Sequence, residues 1–312
     1  MAISSELRYP TRWYSKLLVV VVAVAFFACL FAAATSVYLL YRILSPTVTH
    51  EELGSTDFPG HPEDFLFSVP DGQERSGWFF PGLRGVPTIV LCHSYGSNRG
   101  ELLTLATSLQ DRQYNVFLFD FAGHGDSKGQ TTLGFEEAGE LEAALNAISK
   151  RDDVDPMRFG LWGSNLGAYA ALITAERDPR VRSMVVESVY DTPEDFLRVQ
   201  IARSGLARIS LIERLTVAEF DWKERAIRNV PPVSANMAPL GGDFKLFLEA
   251  QDEPMLARDT QEIYLRAPDP KQRAEITVGN YARMLDDAKR VYENRILSFF
   301  LMNLPPNSRP RR

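Results

Sequence analysis

The chain has 312 residues, 45% of them hydrophobic and 24% charged, enough for one substantial core of about 250 residues once an N-terminal appendage is set aside. Its net charge of -6 is spread with mixed signs, so no basic stripe exists to follow a phosphate backbone, and nucleic-acid binding is excluded as an expectation. Two cysteines, Cys29 in an apolar run and Cys92 in a predicted strand, make neither a disulfide framework nor a metal cluster; both are expected to act as small buried hydrophobes.

From Leu17 to Tyr41 no charged residue occurs over 25 positions. As a helix this run is roughly 37 Å long, against a hydrocarbon core of about 30 Å. Residues 17–44 are therefore expected to form one transmembrane helix. Ala32, Ala33 and Ala34 offer the alternative of a signal-peptide cut, but apolar residues continue past them through Tyr38, Leu39 and Leu40. Arg8, Arg12 and Lys16 precede the span, while Arg42 alone follows it closely, so residues 1–16 are assigned to the cytoplasm and the large domain to the outside. Trp13, Tyr14, Tyr38 and Tyr41 stand where interfacial aromatics sit.

Residues 45–62 lack hydrophobic periodicity and read as a linker. Beyond them, short apolar or β-branched runs alternate with helical patterns. Strands are expected at 65–69, 77–80, 88–92, 116–120, 159–162, 184–186, 245–248 and 275–278, and helices at 99–110, 136–150, 165–176 and 286–300. This alternation predicts an α/β domain over 63–304, a mostly parallel sheet of about eight strands with helices on both faces. Asp71-Gly72 between the first two strands predicts an antiparallel hairpin at its edge. Residues 192–243 interrupt the alternation with helical patches and are a candidate cap over the carboxyl edge of the sheet; ordinary core helices would give the same periodicity. The tail, 305–312, carries three prolines and three arginines and is expected to be disordered.

At Gly163-Ser164-Asn165-Leu166-Gly167 a predicted strand runs into a helix through a Gly-x-x-x-Gly turn, the spacing of a nucleophile elbow. The turn needs small residues two before and two after its apex, so Asn165 is the apex; with Ser164 there, Trp162 and Leu166 would clash. Upstream stand His93-Ser94-Tyr95-Gly96 after one strand and Asp120-x-x-Gly123-x-Gly125-x-Ser127 after the next. Here the sequence resembles the α/β-hydrolase superfamily, most nearly its membrane-tethered serine hydrolases with a short helical cap. The resemblance spans about 64–304 and implies that His93, Ser94, Tyr95, Gly96 and Leu166 form the oxyanion region. It implies that Asp252 matches the family's acid, and that Tyr281 or a close neighbour stands at the position of its histidine.

A serine hydroxyl attacks a carbonyl only when an imidazole takes its proton. Asn165 supplies neither nucleophile nor base, and the four histidines are His50, His61, His93 and His124, all in the N-terminal half. No cofactor or metal is implied. The expected protein is a catalytically degenerate hydrolase-fold module at the cell envelope, whose cleft, lined by Asn165, Ser94, Tyr95 and Tyr281, takes a small acyl, lipid or peptide ligand. A hydrogen bond from Tyr281 to Asn165 is one way of sealing the old site. The alternative is an active esterase or peptidase that uses Ser164, Ser94 or Ser127 with His93 or His124, and with Asp191 as a relocated acid. Asp191 otherwise reads as the cap of the following helix.

Overall fold

A computed structural model describes residues 13–47, 60–225 and 230–306. The expectations for residues 1–12, for the linker from 48 to 59 including His50, and for the tail beyond 306 lie outside these residues.

Eight strands form one sheet: β1 (Glu63–Ser68), β2 (Glu74–Phe80), β3 (Val86–Cys92), β4 (Asn115–Phe119), β5 (Val154–Ser164), β6 (Val181–Glu187), β7 (Phe244–Ala250) and β8 (Lys271–Ile276). Their order is β1-β2-β4-β3-β5-β6-β7-β8. β1 and β2 pair antiparallel around the Asp71-Gly72 turn, where Gly72 takes φ 82°, and β2 lies antiparallel to β4; every later pairing is parallel. The central parallel strands β3, β4 and β6 are buried on both faces, as continuous apolar runs such as Thr88–Cys92 require, whereas β8 at the edge is largely exposed.

Side chains alternate across the sheet into two cores. Ile89 and Leu91 face α2 (Leu103–Gln110) and α8 (Asp286–Asn303), whereas Val90 and Cys92 face α3 (Phe135–Ile148) and α4 (Leu166–Arg177). A further helix, α7 (Pro254–Arg266), packs on the second of these faces through Leu256 and Ile263. Residues 192–243 hold α5 (Pro193–Arg203), α6 (Ser210–Lys223) and short 3-10 turns.

The helix α1 (Trp13–Leu44) is long and apolar enough to cross a membrane. Its two halves differ. Apart from a half-buried Ala23, residues 13–31 are exposed, and Cys29 lies there on the outside of the helix rather than buried. From Ala32 onward a stripe of Ser36, Leu39, Leu40, Ile43 and Leu44 is buried, at helical spacing, against α6 and the domain. The last carbonyls of a helix lack partners within it. Here Ile43 O accepts from Tyr95 Oη at 2.8 Å and Leu44 O from Thr131 N at 3.0 Å. The expected boundary at residue 44 is thus also a docking point: the end of α1 is built onto the loops that follow β3 and β4.

Candidate degenerate active site

β5 ends at Ser164 and α4 starts at Leu166, leaving Asn165 alone to make the turn at φ 36°, ψ -98°. A non-glycine residue held there is strained and persists because its surroundings over-determine it. The bracket of glycines is the reason it can exist. A Cβ on Gly163 would stand 2.4 Å from the backbone of Gly167, and one on Gly167 would stand 2.2 Å from Cys92 O.

Asn165 is 7% exposed. Its carboxamide oxygen accepts from Leu166 N at 2.6 Å and from Tyr95 N at 2.8 Å. These two N–H groups, one following the elbow apex and one from the β3 loop, are the donors that an acyl-transfer enzyme of this fold aims at a developing oxyanion. The side chain at the nucleophile position therefore fills the oxyanion hole itself. Ser94 is buried, and its carbonyl accepts from His93 Nδ1 at 2.9 Å and Ser97 N at 3.2 Å. Gly96 turns the loop at φ 72°.

Neither buried histidine is placed as a base. His93 Nε2 accepts from Phe121 N at 3.0 Å, so Nδ1 carries the proton and donates to Ser94 O. Burial, aided by the nearby Arg99 charge, pulls its pKa down to about 4. His124 donates from Nδ1 to Ala122 O at 2.9 Å, its Nε2 is buried with no hydrogen-bond partner among the described residues, and burial pulls its pKa down to about 3. The serines offered as alternative nucleophiles pair elsewhere: Ser164 Oγ donates to Glu187 at 3.2 Å and Ser127 Oγ to Asp120 O at 2.6 Å.

The histidine chemistry yields a test. His124 has a lower pKa folded than unfolded, so the native state binds fewer protons between about pH 3 and 6.5; the stability this contributes is complete above 6.5 and is lost as pH falls. Between pH 7 and pH 5, His124→Phe is expected to lose about 2 kcal/mol less than the unsubstituted chain, read from urea midpoints. Equal losses would show a His124 that is charged in the folded state.

At the other end of the expected triad, the structure corrects two assignments. Tyr281 is buried and points away from the elbow, toward α2 and α8: its hydroxyl donates to Glu293 and lies 2.5 Å from Thr104 Oγ1. Its ring packs among Trp162 and Tyr292, so it neither seals Asn165 nor lines the cleft. Asp191 does not cap α5. Thr192 does, accepting from Asp195 N, because it is the residue with extended backbone just before Pro193, while Asp191 holds Ser234 by 2.8 Å bonds to both its N and Oγ. Asp252 is exposed and accepts from Gly279 N at 2.7 Å, which pins the loop where a histidine would stand.

Sequence reasoning missed Glu187. It ends β6, fully buried, and gathers Ser164 Oγ, Asn280 N at 2.8 Å and the Tyr292 hydroxyl, with Trp162 Nε1 donating to Tyr292 at 3.1 Å. Burial drives its carboxyl pKa up against these donors. The signal available was a carboxylate placed directly after the apolar run Met184-Val185-Val186.

Over the hole, the Tyr95 ring packs on Phe196 of α5 with centroids 5.5 Å apart, while its hydroxyl reaches the end of α1. Cap and α1 thus meet above the elbow.

The sheet order and the elbow are those of the α/β-hydrolase fold, and residues 87–205 match the family described as alpha/beta hydrolase fold. Among curated proteins it is similar to YfhR of Escherichia coli K12, described as uncharacterized, at 26% identity over 293 residues, which cover 89% of this chain and 95% of the relative. It is also similar to the alpha/beta hydrolase domain-containing protein WAV2 of Arabidopsis thaliana, 29% identical over 52% of this chain and 55% of that one. Among solved structures, the Pyrococcus furiosus esterase Pf2001 superposes with a TM-score of 0.66 at 17% identity, covering 83% of this chain and 99% of the esterase; at that identity the likeness is one of fold.

Proposed function

We propose that this chain is a membrane-anchored α/β-hydrolase-fold protein without hydrolytic activity, which acts by binding or scaffolding at the cell envelope. The observation that carries this reading is the Asn165 carboxamide seated on both oxyanion donors. A substrate carbonyl would have to displace an intramolecular acceptor that is already held by two short hydrogen bonds, and even then no histidine among the described residues stands ready as a base. Because members of such a triad act as a unit, losing both nucleophile and base leaves little to build on.

Anchoring by α1, with the N-terminus in the cytoplasm and the domain outside, rests on its length and on the basic residues that precede it. Against removal as a signal peptide stands its continuity: the helix runs unbroken through Ala32, Ala33 and Ala34 into the segment docked on the domain. The ligand class proposed is a small acyl, lipid or peptide molecule received beneath the cap. An active hydrolase with a relocated triad, an activity the Pyrococcus relative carries in its name, is the rival reading.

Turnover of aryl esters by full-length protein in detergent separates the two. The chain with Asn165→Ser is expected to stay at the background rate, since it gains a hydroxyl but no base. A rise of about a hundredfold or more in the single variant would reveal a general base and overturn the reading. The full chain is required because cutting at Thr47 would strip Ile43 and Leu44 from the loops they cap.

A further inference from the structure

α6 carries an apolar stripe that the described residues leave exposed. Leu211, Ala218 and Trp222 are exposed, the first 47% and the last 70%, and their spacing of seven and four residues puts them on one face. Ile209, just ahead of the helix, is 49% exposed. Arg208, Arg214 and Arg225 are exposed around the stripe. Ile212, Val217 and Phe220 bury the opposite side of α6 in the domain, so this second, outward apolar stripe with Trp, Leu and flanking arginines has the composition of a surface that rests in a membrane interface.

What covers this face follows from where α6 sits. It packs along the second half of α1, and Ser36 Oγ is 2.9 Å from Glu219 Oε1. If the hydrocarbon span starts at Trp13, about 20 residues of helix end it near Ala32; if it starts at Leu17, they end it near Ser36. Either way the Ser36–Glu219 contact falls within about 6 Å of the outer hydrocarbon boundary. Trp222 lies less than one turn from Glu219, at the depth where an indole bridges apolar and polar zones.

We propose that α6 is a second membrane contact, its Leu211–Ala218–Trp222 face resting in the outer-leaflet interface beside α1, so that the cap above Asn165 is held against lipid. The inference depends on α1 spanning the bilayer, and it adds a bilayer-facing orientation for the mouth of the site. Lipid, rather than a second copy of the chain, is the occupant because the stripe is continuous with a helix that is itself bathed in lipid.

The test uses full-length protein in vesicles of phosphatidylcholine and phosphatidylglycerol. In a Cys29→Ser background, Ala218→Cys is labelled with a polarity-sensitive nitrobenzoxadiazole dye; the remaining Cys92 is fully buried and stays unlabelled. Leu211→Cys is a second reporter, Lys150→Cys a control at an exposed site after α3, and native Cys29 marks the span. Lipids with a nitroxide near the headgroup are expected to quench positions 218 and 211 by about twofold or more, and the control hardly at all. Quenching at Cys29 with positions 218 and 211 matching the control would overturn this inference and leave the anchor standing. No quenching at Cys29 would overturn the anchor and this inference with it. Dye self-quenching at 218 in densely loaded vesicles, without any nitroxide effect, would make the occupant a second copy and also overturn it.

Discussion

Gly167→Ala is expected to cost about 3 kcal/mol or more, and to leave little folded protein, whereas Gly139→Ala raises stability. The two glycines differ in what a methyl group would meet. At Gly167 an added Cβ would stand 2.2 Å from Cys92 O and 2.6 Å from both Cys92 C and His93 O, all backbone of the strand end and oxyanion loop. Nothing flexible is there to yield, so α4 would have to lift off β3, taking the elbow with it. At Gly139, inside α3, the nearest atom an added Cβ would meet outside its own helix is Pro70 Cγ at 3.7 Å, an ordinary contact, so the helix gains up to about 1 kcal/mol from lost glycine freedom. Chemical denaturation of the pair measures both; a folded Gly167→Ala within about 1 kcal/mol of the parent would mean that the helix start is not fixed as described.

Arg75→Met is the second large effect, with an expected loss of about 3–5 kcal/mol at pH 8. Arg75 is 1% exposed and holds the buried Glu140 through Nη2 at 2.5 Å and Nε at 3.2 Å. Glu140 in turn accepts from Ala122 N at 3.1 Å, beside the loop that carries His124, so the pair braces the wall of the site. Burial already lifts the Glu140 pKa to about 7 despite Arg75. Without the guanidinium it rises further, and the native state then binds more protons than the unfolded chain. The cost should therefore shrink as pH falls from 8 toward 5 and the carboxyl becomes neutral. Arg75→Met with Glu140→Gln, which keeps an acceptor for Ala122 N, should recover most of the loss at pH 8. A cost that does not change with pH would place the effect in packing rather than charge.

Much of the fold was legible because local rules and global architecture agree in this sequence. The Asp71-Gly72 turn, the apolar runs of β3 to β6 and the Gly163/Gly167 bracket each have a single good reading, and together they place Asn165 at the apex. The edge of the sheet was less legible. β8 starts at Lys271 rather than near Glu275, because Lys271, Gln272 and Arg273 on an edge strand look like loop. α7 escaped notice because its buried stripe is Leu256, Thr260 and Ile263 within an otherwise polar segment.

The site was legible in its parts but not in its contacts. That Asn165 and Tyr95 stand at elbow and loop positions can be read from motifs; that the carboxamide oxygen of one reaches the amide of the other, 70 residues away, requires the strands to be assembled. The direction of Tyr281 depends on the loop at Asn280, where φ is 68°, a conformation that propensity does not announce. The docking of α1 on the cap was hidden for a different reason. An unbroken apolar run masks the Ala32–Leu44 stripe, since periodicity has no polar face to contrast with.

The most direct measurement is the intact mass of the unmodified, full-length protein after exposure to an excess of a fluorophosphonate, which phosphonylates any serine activated by a base. An unchanged mass is the result required by an asparagine oxygen lodged in the oxyanion hole, with neither His93 nor His124 placed as a base. A stoichiometric adduct mapped to Ser164, Ser94 or Ser127 would contradict it.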